Sequence, residues 1–140
     1  MTGRRIRRVL ETAVYVDDLE RALAFYGGVL GIEAMFRSDR AIALDAGQGS
    51  VLLLFLRGRA KEGVTSGTGD WIPPHDGSGP SHFALAVDAD ELEAWRDRLQ
   101  EAGVEVESEI RWSRGGTSLY IRDPDGHSVE LATPGVWPTY

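Results

Sequence analysis

The sequence predicts an α+β fold made of two tandem modules, each with the element order strand, helix, strand, strand, strand (βαβββ). Three sequence blocks carry this prediction, because each recurs in the same order in the second half of the chain. The paired blocks are ETAVYVDDLERA (11–22) with HFALAVDADELEA (82–94), GIE (31–33) with GVE (103–105), and DAGQGSVLL (45–53) with DPDGHSVEL (123–131). One such match is weak, but three in order indicate a duplicated module.

Composition restricts the class of protein. A chain of 140 residues fits a single domain, 1–140, long enough to bury a core. The net charge of −7 argues against a nucleic-acid partner, which normally requires a basic surface. No apolar run is long enough to span a membrane, so no membrane partner is expected. The chain has no cysteine, which excludes disulfides and thiolate metal ligands and fits a cytoplasmic location.

Module one is expected at about 8–56. Its first strand, 9–16, alternates apolar and other residues, and a helix near 18–29 follows. Asp17 is placed to cap that helix, with Glu20 three residues later as in a capping box. The remaining strands of the module are predicted near 32–37, 41–45 and 50–56.

Module two, at about 81–134, repeats this order. Strand 81–87 leads into a helix near 89–102, where Asp88 and Glu91 take the capping positions. Its other strands are expected near 104–109, 116–122 and 127–133.

The modules are joined by a long segment, 57–80, which is rich in glycine and contains three prolines. Connections of this length are usually functional loops or mobile linkers. Trp71 and the run Ile72-Pro73-Pro74-His75 fit a lid or a partner contact, and a mobile loop with a partly buried anchor is the alternative.

Three strands each carry one possible metal ligand on a face where its neighbours along the strand are small residues. With a period of two, Glu11 shares its face with Ala13, His82 with Ala84, and Glu130 with Ser128 and Ala132. Small neighbours leave room for a cavity, and carboxylate and imidazole groups suit a divalent cation. A lone strand glutamate is more often solvated and a lone histidine more often structural. The joint pattern favours a metal site.

The chain also resembles a known family. The runs LETAVYVDDLERALAFYGGVLGIE, SHFALAV and SLYIRDPDGHSVELATP look like the module starts and the final strands of the vicinal oxygen chelate superfamily. That superfamily includes glyoxalase I, extradiol dioxygenases, fosfomycin-resistance enzymes and bleomycin-resistance binding proteins. The resemblance covers about residues 8–134. It implies the glyoxalase/bleomycin resistance/dioxygenase fold, a curved mixed sheet around a metal-containing cleft, and a homodimer, sometimes with modules exchanged between chains.

Carried over by position, the family's metal ligands fall on Glu11, His82 and Glu130. The fourth ligand of glyoxalase-type members would fall on Leu52, which has no ligand atom. Glu11 stands where ring-cleaving dioxygenases and fosfomycin enzymes have histidine, which argues against dioxygenase chemistry. Tyr120 matches a substrate-contacting tyrosine of the fosfomycin enzymes, but the sequence has no matching basic cluster for a phosphonate.

One imidazole and two carboxylates suit Zn, Mn, Fe, Co or Ni, and the sequence does not choose among them. The expected function is a lyase, isomerase or transferase acting on a small, vicinally oxygenated molecule. Glu130 is the candidate base, and Tyr15 and Tyr120 are candidate hydrogen-bond donors in the cleft. His75 and His127 are weaker candidates, and His127 is expected to be exposed in its turn. The alternative is an antibiotic-binding resistance protein without catalysis, favoured by the tryptophans at 71, 112 and 137.

Overall fold

The computed structural model describes residues 3–140. In the first half, the helix α1 (Leu19–Leu23) runs directly into a π-helical segment, Ala24–Val29. The strands of this half are β1 (Glu11–Val16), β2 (Glu33–Arg37), β3 (Ala41–Gly47) and β4 (Ser50–Leu56). Two short strands then form a hairpin within the connecting segment: β5 (Val64–Thr65) and β6 (Trp71–Ile72).

In the second half, a short 3₁₀ turn (Ala89–Glu91) leads into α2 (Leu92–Glu101). The strands are β7 (His82–Ala86), β8 (Ser108–Arg111), β9 (Thr117–Arg122) and β10 (Ser128–Ala132). The strand predicted from residue 104 begins only at Ser108. The peptide N–H of Val104 instead donates to the carbonyl of Leu99 at 2.8 Å and closes the end of α2.

The two halves form sheets of identical topology. The strand orders are β1-β4-β3-β2 and β7-β10-β9-β8, and the first pair of each sheet is parallel while the others are antiparallel. One cluster of buried apolar side chains includes residues of both modules. The predicted α+β fold with paired βαβββ modules is therefore confirmed.

The strand register corrects one sequence prediction. In the first sheet Glu11 lies opposite Val51, and in the second His82 lies opposite Ser128. Two residues along, Leu53 and Glu130 are therefore the equivalent positions. The equivalence of Leu52 with Glu130 was wrong by one residue.

The cause is the length of the turns. The turn between β3 and β4 is much shorter than the turn between β9 and β10, so an ungapped alignment across both turns misplaces the following strand. A shift of one residue moves a side chain to the other face of a sheet. Leu52 is accordingly fully buried in the core, and Leu53 is only half-buried on the opposite face.

The first helix is capped one residue later than predicted. The side chain of Asp18 accepts a hydrogen bond from the backbone N–H of Arg21 at 3.0 Å. Asp17 instead accepts from the guanidinium of Arg57 at 2.8 Å. At the second helix the side chain of Asp88 accepts no capping hydrogen bond. The predicted cap of the first helix is therefore shifted by one residue, and the predicted side-chain cap of the second helix is absent.

The turn between β9 and β10 joins the modules. The hydroxyl of Tyr26 donates to Asp123 at 2.6 Å, and the same carboxylate accepts from the backbone N–H groups of Asp125 and His127. Asp125 in turn accepts from the backbone N–H of Asp17 at 2.9 Å. These bonds tie the second sheet's turn to the first module's helix.

His127 is part of this joint, and its predicted exposure was wrong. Its side chain is fully buried, because its two ring nitrogens bridge the modules. Nδ1 accepts from the N–H of Ser81 at 2.9 Å, and Nε2 donates to the carbonyl of Tyr15 at 2.7 Å. Within residues 3–140, no helix is both long and apolar enough to cross a membrane.

Candidate metal centre and adjoining cavity

His82 and Glu130 meet on one face of the second sheet. His82 begins β7 and Glu130 lies in the middle of the adjacent strand β10, on the same face by the period of two. His82 Nε2 lies 3.3 Å from Glu130 Oε1. The histidine side chain is about half exposed (52%), whereas the glutamate side chain is almost fully buried (8%). The structure therefore brings together two of the three predicted ligands.

The orientation of His82 follows from its other nitrogen. His82 Nδ1 lies 3.0 Å from the carbonyl oxygen of Ser128. Because a carbonyl oxygen can only accept, Nδ1 carries the hydrogen of this bond. In the neutral imidazole, Nε2 is then a lone-pair atom, and it faces the carboxylate of Glu130.

The second oxygen of Glu130 is held by a short chain of donors. The hydroxyl of Ser118 donates to Glu130 Oε2 at 2.5 Å, and the indole N–H of Trp112 donates to the Ser118 oxygen at 2.8 Å. This chain fixes the carboxylate and leaves Oε1 turned toward His82. Ser118 lies two residues from Tyr120 in β9, so the alternation of the strand could have predicted that both share a face with the site. No local sequence pattern indicates the contact of Trp112 with Ser118.

Tyr120 lies next to this pair. Its ring stacks against the His82 ring, with centroids 6.1 Å apart and planes inclined by 25°. Burial, and then the negative charge of Glu130, raise the pKa of the Tyr120 phenol above its usual value. The tyrosine therefore keeps its proton and can serve as a hydrogen-bond donor at neutral pH.

Glu11 lies elsewhere in the chain, at the exposed start of β1 in the first sheet. The part of the chain that the structure describes contains no cluster of three His, Asp or Glu side chains close enough to bind one metal ion. Within one chain, Glu11 therefore does not join His82 and Glu130.

Glu11 borders a cavity of about 770 Å³ between the first sheet and the segment 57–80. The segment folds back over the face of β1 and β4 that carries Ala13, Leu53 and Phe55. The hairpin of β5 and β6 forms part of the wall, a position that fits the predicted lid; whether the segment acts as a lid or as a mobile loop with an anchor stays a prediction.

Tyr15 and His75 form a second polar pair inside this cavity. Tyr15 Oη lies 2.7 Å from His75 Nδ1, and the Phe55 ring packs against both, at centroid distances of 5.9 Å and 4.5 Å. Burial, and then the charge of Asp76, raise the pKa of the Tyr15 phenol. From the sequence, His75 is only a weak candidate, because it lies in a connecting segment without an alternating pattern that would indicate Tyr15 as its partner.

The base of the segment 57–80 is fixed by Arg57. Its guanidinium donates to the carbonyl of Gly77 at 2.6 Å and to the carbonyl of Tyr15 at 3.2 Å. The carboxylate of Asp76 accepts from the N–H of Gly58 at 3.0 Å. The two ends of the segment are thus bound to each other and to β1. We call this segment, residues 57–80, the strap, because it lies over the face of the first sheet.

Comparison with known proteins agrees with this architecture. A family model described as the Glyoxalase/Bleomycin resistance protein/Dioxygenase superfamily matches residues 8–131. The crystal structure of lactoylglutathione lyase from Agrobacterium tumefaciens superimposes with a TM-score of 0.86 at 33% identity, covering 96% of this chain and 99% of that one.

Two curated relatives are named as enzymes. The lactoylglutathione lyase of Salmonella typhimurium is 31% identical over 128 residues, covering 89% of this chain and 90% of the relative. The glutathione transferase FosA of Serratia marcescens is 29% identical over 119 residues, covering 83% and 73%. A lyase and a transferase support the predicted enzyme of this class rather than the alternative of an antibiotic-binding protein without catalysis.

Proposed function

We propose a function from one premise: this chain belongs to the Glyoxalase/Bleomycin resistance protein/Dioxygenase superfamily. The proposal is a divalent-metal-dependent enzyme that acts as a lyase, isomerase or transferase on a small molecule with two adjacent oxygen atoms. Its metal ligands are His82, Glu130 and Glu11, and the third is contributed by a second copy of the chain.

The observation that carries the proposal is the contact between His82 Nε2 and Glu130 Oε1 at 3.3 Å. With Nδ1 bonded to the Ser128 carbonyl, a lone pair of the neutral imidazole faces a carboxylate oxygen. Two such acceptors repel each other unless a positive charge lies between them, either a proton or a metal ion. The Ser128 carbonyl that binds His82 and the Ser118 hydroxyl that binds Glu130 are hydrogen-bond partners of the kind that orient metal ligands.

The third ligand supports a homodimer. Glu11 lies on the first sheet, away from His82 and Glu130, so a shared site requires the first module of another copy. The residues just before Glu11 offer a surface for this contact, because Val9 and Leu10 are 76% and 57% exposed. Trp137, in the C-terminal segment, is also exposed. Large apolar groups of this kind mark protein interfaces.

A bound divalent cation would hold the two substrate oxygens and stabilise negative charge that develops on them. His82 and the two glutamates provide one nitrogen and carboxylate oxygens, a set compatible with Zn, Mn, Fe, Co or Ni. In this arrangement Glu130 is the candidate base, since Ser118 holds one of its oxygens while the other, beside His82, accepts no hydrogen bond from Ser118. Tyr120, kept protonated, is the candidate donor to a substrate oxygen, and Tyr15 is a second donor in the adjoining cavity.

Metal analysis tests the proposal. Protein purified without added metal or chelator should contain about one divalent ion per chain, and His82→Ala should abolish this binding while the fold is retained. Glu11→Gln should weaken it. His75→Ala is the matched control, because it removes a histidine outside the ligand set. Full metal retention by the His82 variant would overturn the site.

Light scattering tests the assembly. We expect a dimer at micromolar concentration, and a mixture of His82→Ala and Glu11→Gln chains should recover one intact site in the mixed dimer. A monomer that binds metal at full occupancy would overturn the shared site. A cytoplasmic location, which the lack of cysteine favours, is part of the same proposal and is tested by cell fractionation.

A further inference from the structure

The cavity beside the first sheet has the size and lining of a binding site for an organic molecule. Its volume of about 770 Å³ lies within the range of about 300–1,000 Å³ typical of ligand pockets. Its walls are mainly aliphatic and aromatic. The apolar lining comes from the first sheet and from the strap, and includes Ala13, Phe36, Ala41, Leu53, Phe55 and Ile72.

The Tyr15–His75 pair leaves one hydrogen-bonding group available in this cavity. A single hydrogen is shared between Tyr15 Oη and His75 Nδ1, which lie 2.7 Å apart. If the tyrosine donates, the neutral imidazole carries its hydrogen on Nε2. If the imidazole donates, the tyrosine hydroxyl hydrogen is free. Either arrangement leaves one N–H or O–H for a ligand.

This pair is held in place by the strap. The backbone N–H of His75 donates to the carbonyl of Ala60 at 3.0 Å. Gly77 lies so close to the Tyr15 ring that a Cβ atom there would come within 2.5 Å of ring carbon Cδ2. The polar group of the cavity is therefore positioned before any ligand binds, which limits the entropy that binding must overcome.

The charges at the cavity wall argue against an anionic tripeptide conjugate as the occupant. The two arginines of the lining, Arg40 and Arg59, both pair with Asp39, at 3.9 Å and 3.2 Å. A glutathione conjugate brings two carboxylates, which need cationic partners to leave water. Here the negative charge of Asp39, which lies close to both guanidinium groups, offsets part of their positive charge.

We infer that this cavity binds the apolar or aromatic body of the substrate, oriented by one hydrogen bond from the Tyr15–His75 pair. The inference rests on the proposed function, because Glu11 borders the same cavity and connects it with the proposed metal centre. The substrate class is then a neutral, mainly apolar molecule with a polar, oxygenated end directed at Glu11 and a hydrogen-bonding group on its body.

Calorimetric titration with three probes tests this inference: 1-naphthol, naphthalene and S-methylglutathione. We expect 1-naphthol to bind about fivefold more tightly than naphthalene, the effect of one net hydrogen bond. S-methylglutathione should bind more weakly than both. Equal affinity for the two aromatic probes, or tighter binding of S-methylglutathione, would overturn the inference.

Variants locate the probe. Ala13→Phe should fill the cavity and lower the affinity for 1-naphthol by about tenfold or more. Ala41→Leu is a milder second variant, to be used if the first does not fold. The double variant Tyr15→Phe with His75→Phe keeps an aromatic ring at both positions, removes their hydrogen-bonding groups, and should remove the preference for 1-naphthol over naphthalene. Ile110→Ala, which removes an exposed apolar side chain of β8 outside the lining, is the control and should leave both affinities unchanged.

Binding of 1-naphthol that persists unchanged in folded Ala13→Phe and Ala41→Leu proteins would place the probe elsewhere and overturn the inference. The His82→Ala variant separates this result from the proposed function. It should lose metal and still bind 1-naphthol, since the cavity is formed by the first sheet. Metal binding without probe binding would refute only the cavity, and probe binding without metal in the unsubstituted protein would refute only the metal centre.

Discussion

The two sheets share one topology but present different chemistry on their equivalent faces. Position by position, Glu11 corresponds to His82, Leu53 to Glu130, and, through the neighbouring strand, Ala43 to Tyr120. The second sheet carries an ordered polar cluster. The first carries an apolar wall with Glu11 at its border and the strap above it.

The difference teaches how a duplicated module can divide its tasks. Topology is kept by the buried faces, where both modules place aliphatic residues against the helices. The opposite faces are free to diverge, because their side chains do not hold the core together. One sheet carries a polar cluster, where we propose a metal centre, and the other borders an apolar cavity, where we propose that the substrate body binds.

The largest effect should come from placing a charge on the wrong face of the first sheet. Leu52→Glu would bury a carboxylate in the core, and we expect it to lower the free energy of unfolding by about 5 kcal/mol, enough to unfold many domains. Leu53→Glu places the same group on the cavity face and should cost about 1 kcal/mol. Urea denaturation of both variants measures this. Equal losses would show that the register is wrong.

The joint between the modules gives the next largest effect. Asp123→Ala leaves the buried hydroxyl of Tyr26 and the backbone N–H groups of Asp125 and His127 without their acceptor. We expect a loss of about 3 kcal/mol in the free energy of unfolding. The matched control is Asp45→Ala near the end of β3 in the first sheet, where the exposed carboxylate accepts from the backbone N–H of Gly47 and the loss should stay below about 1 kcal/mol. Similar losses in the free energy of unfolding for the two variants would contradict the proposed role of Asp123 in joining the modules.

Restoring the symmetry of the two sheets should strengthen metal binding. Leu53→Glu adds a carboxylate at the position equivalent to Glu130, two residues along from the strand partner of Glu11. If Glu11 joins His82 and Glu130 in a dimer, a fourth protein ligand should tighten metal affinity by about tenfold, or about 1.4 kcal/mol. Competition with a chromophoric chelator measures the change. Weaker metal binding by the folded variant would argue against Glu11 as a ligand.

The smallest expected effect is a dependence of stability on alkaline pH. Burial, and then the charge of Asp123, raise the pKa of Tyr26 far above its usual value near 10. Above pH 10 the unfolded chain loses this proton while the folded chain keeps it, so stability falls as pH rises. The slope contributed by this group approaches about 1.4 kcal/mol per pH unit. Tyr26→Phe should remove that slope, and denaturation at pH 9, 10 and 11 measures it; an unchanged slope would refute the assignment.

Much of the fold could be predicted because it depends on local patterns. The period of two in the strands and the repeated blocks locate the sheets, and the segment 57–80 stands out by composition. Glu11, His82 and Glu130 were singled out by the same alternation. The helix cap was placed one residue early, because Asp17 and Asp18 are adjacent and only the backbone geometry decides which side chain reaches the Arg21 N–H.

The sequence by itself determined the module order and the faces of the strands, since alternation and turn residues are properties of neighbouring positions. From those faces it also predicted three metal ligands. The tertiary structure alone decided three features that depend on distant contacts. It set the register that makes Leu53 the counterpart of Glu130. It buried His127 between the N–H of Ser81 and the carbonyl of Tyr15, and it placed His75, a residue of the strap, next to Tyr15. Each feature depends on the path of the chain through turns and connections of different lengths, which local sequence patterns do not encode.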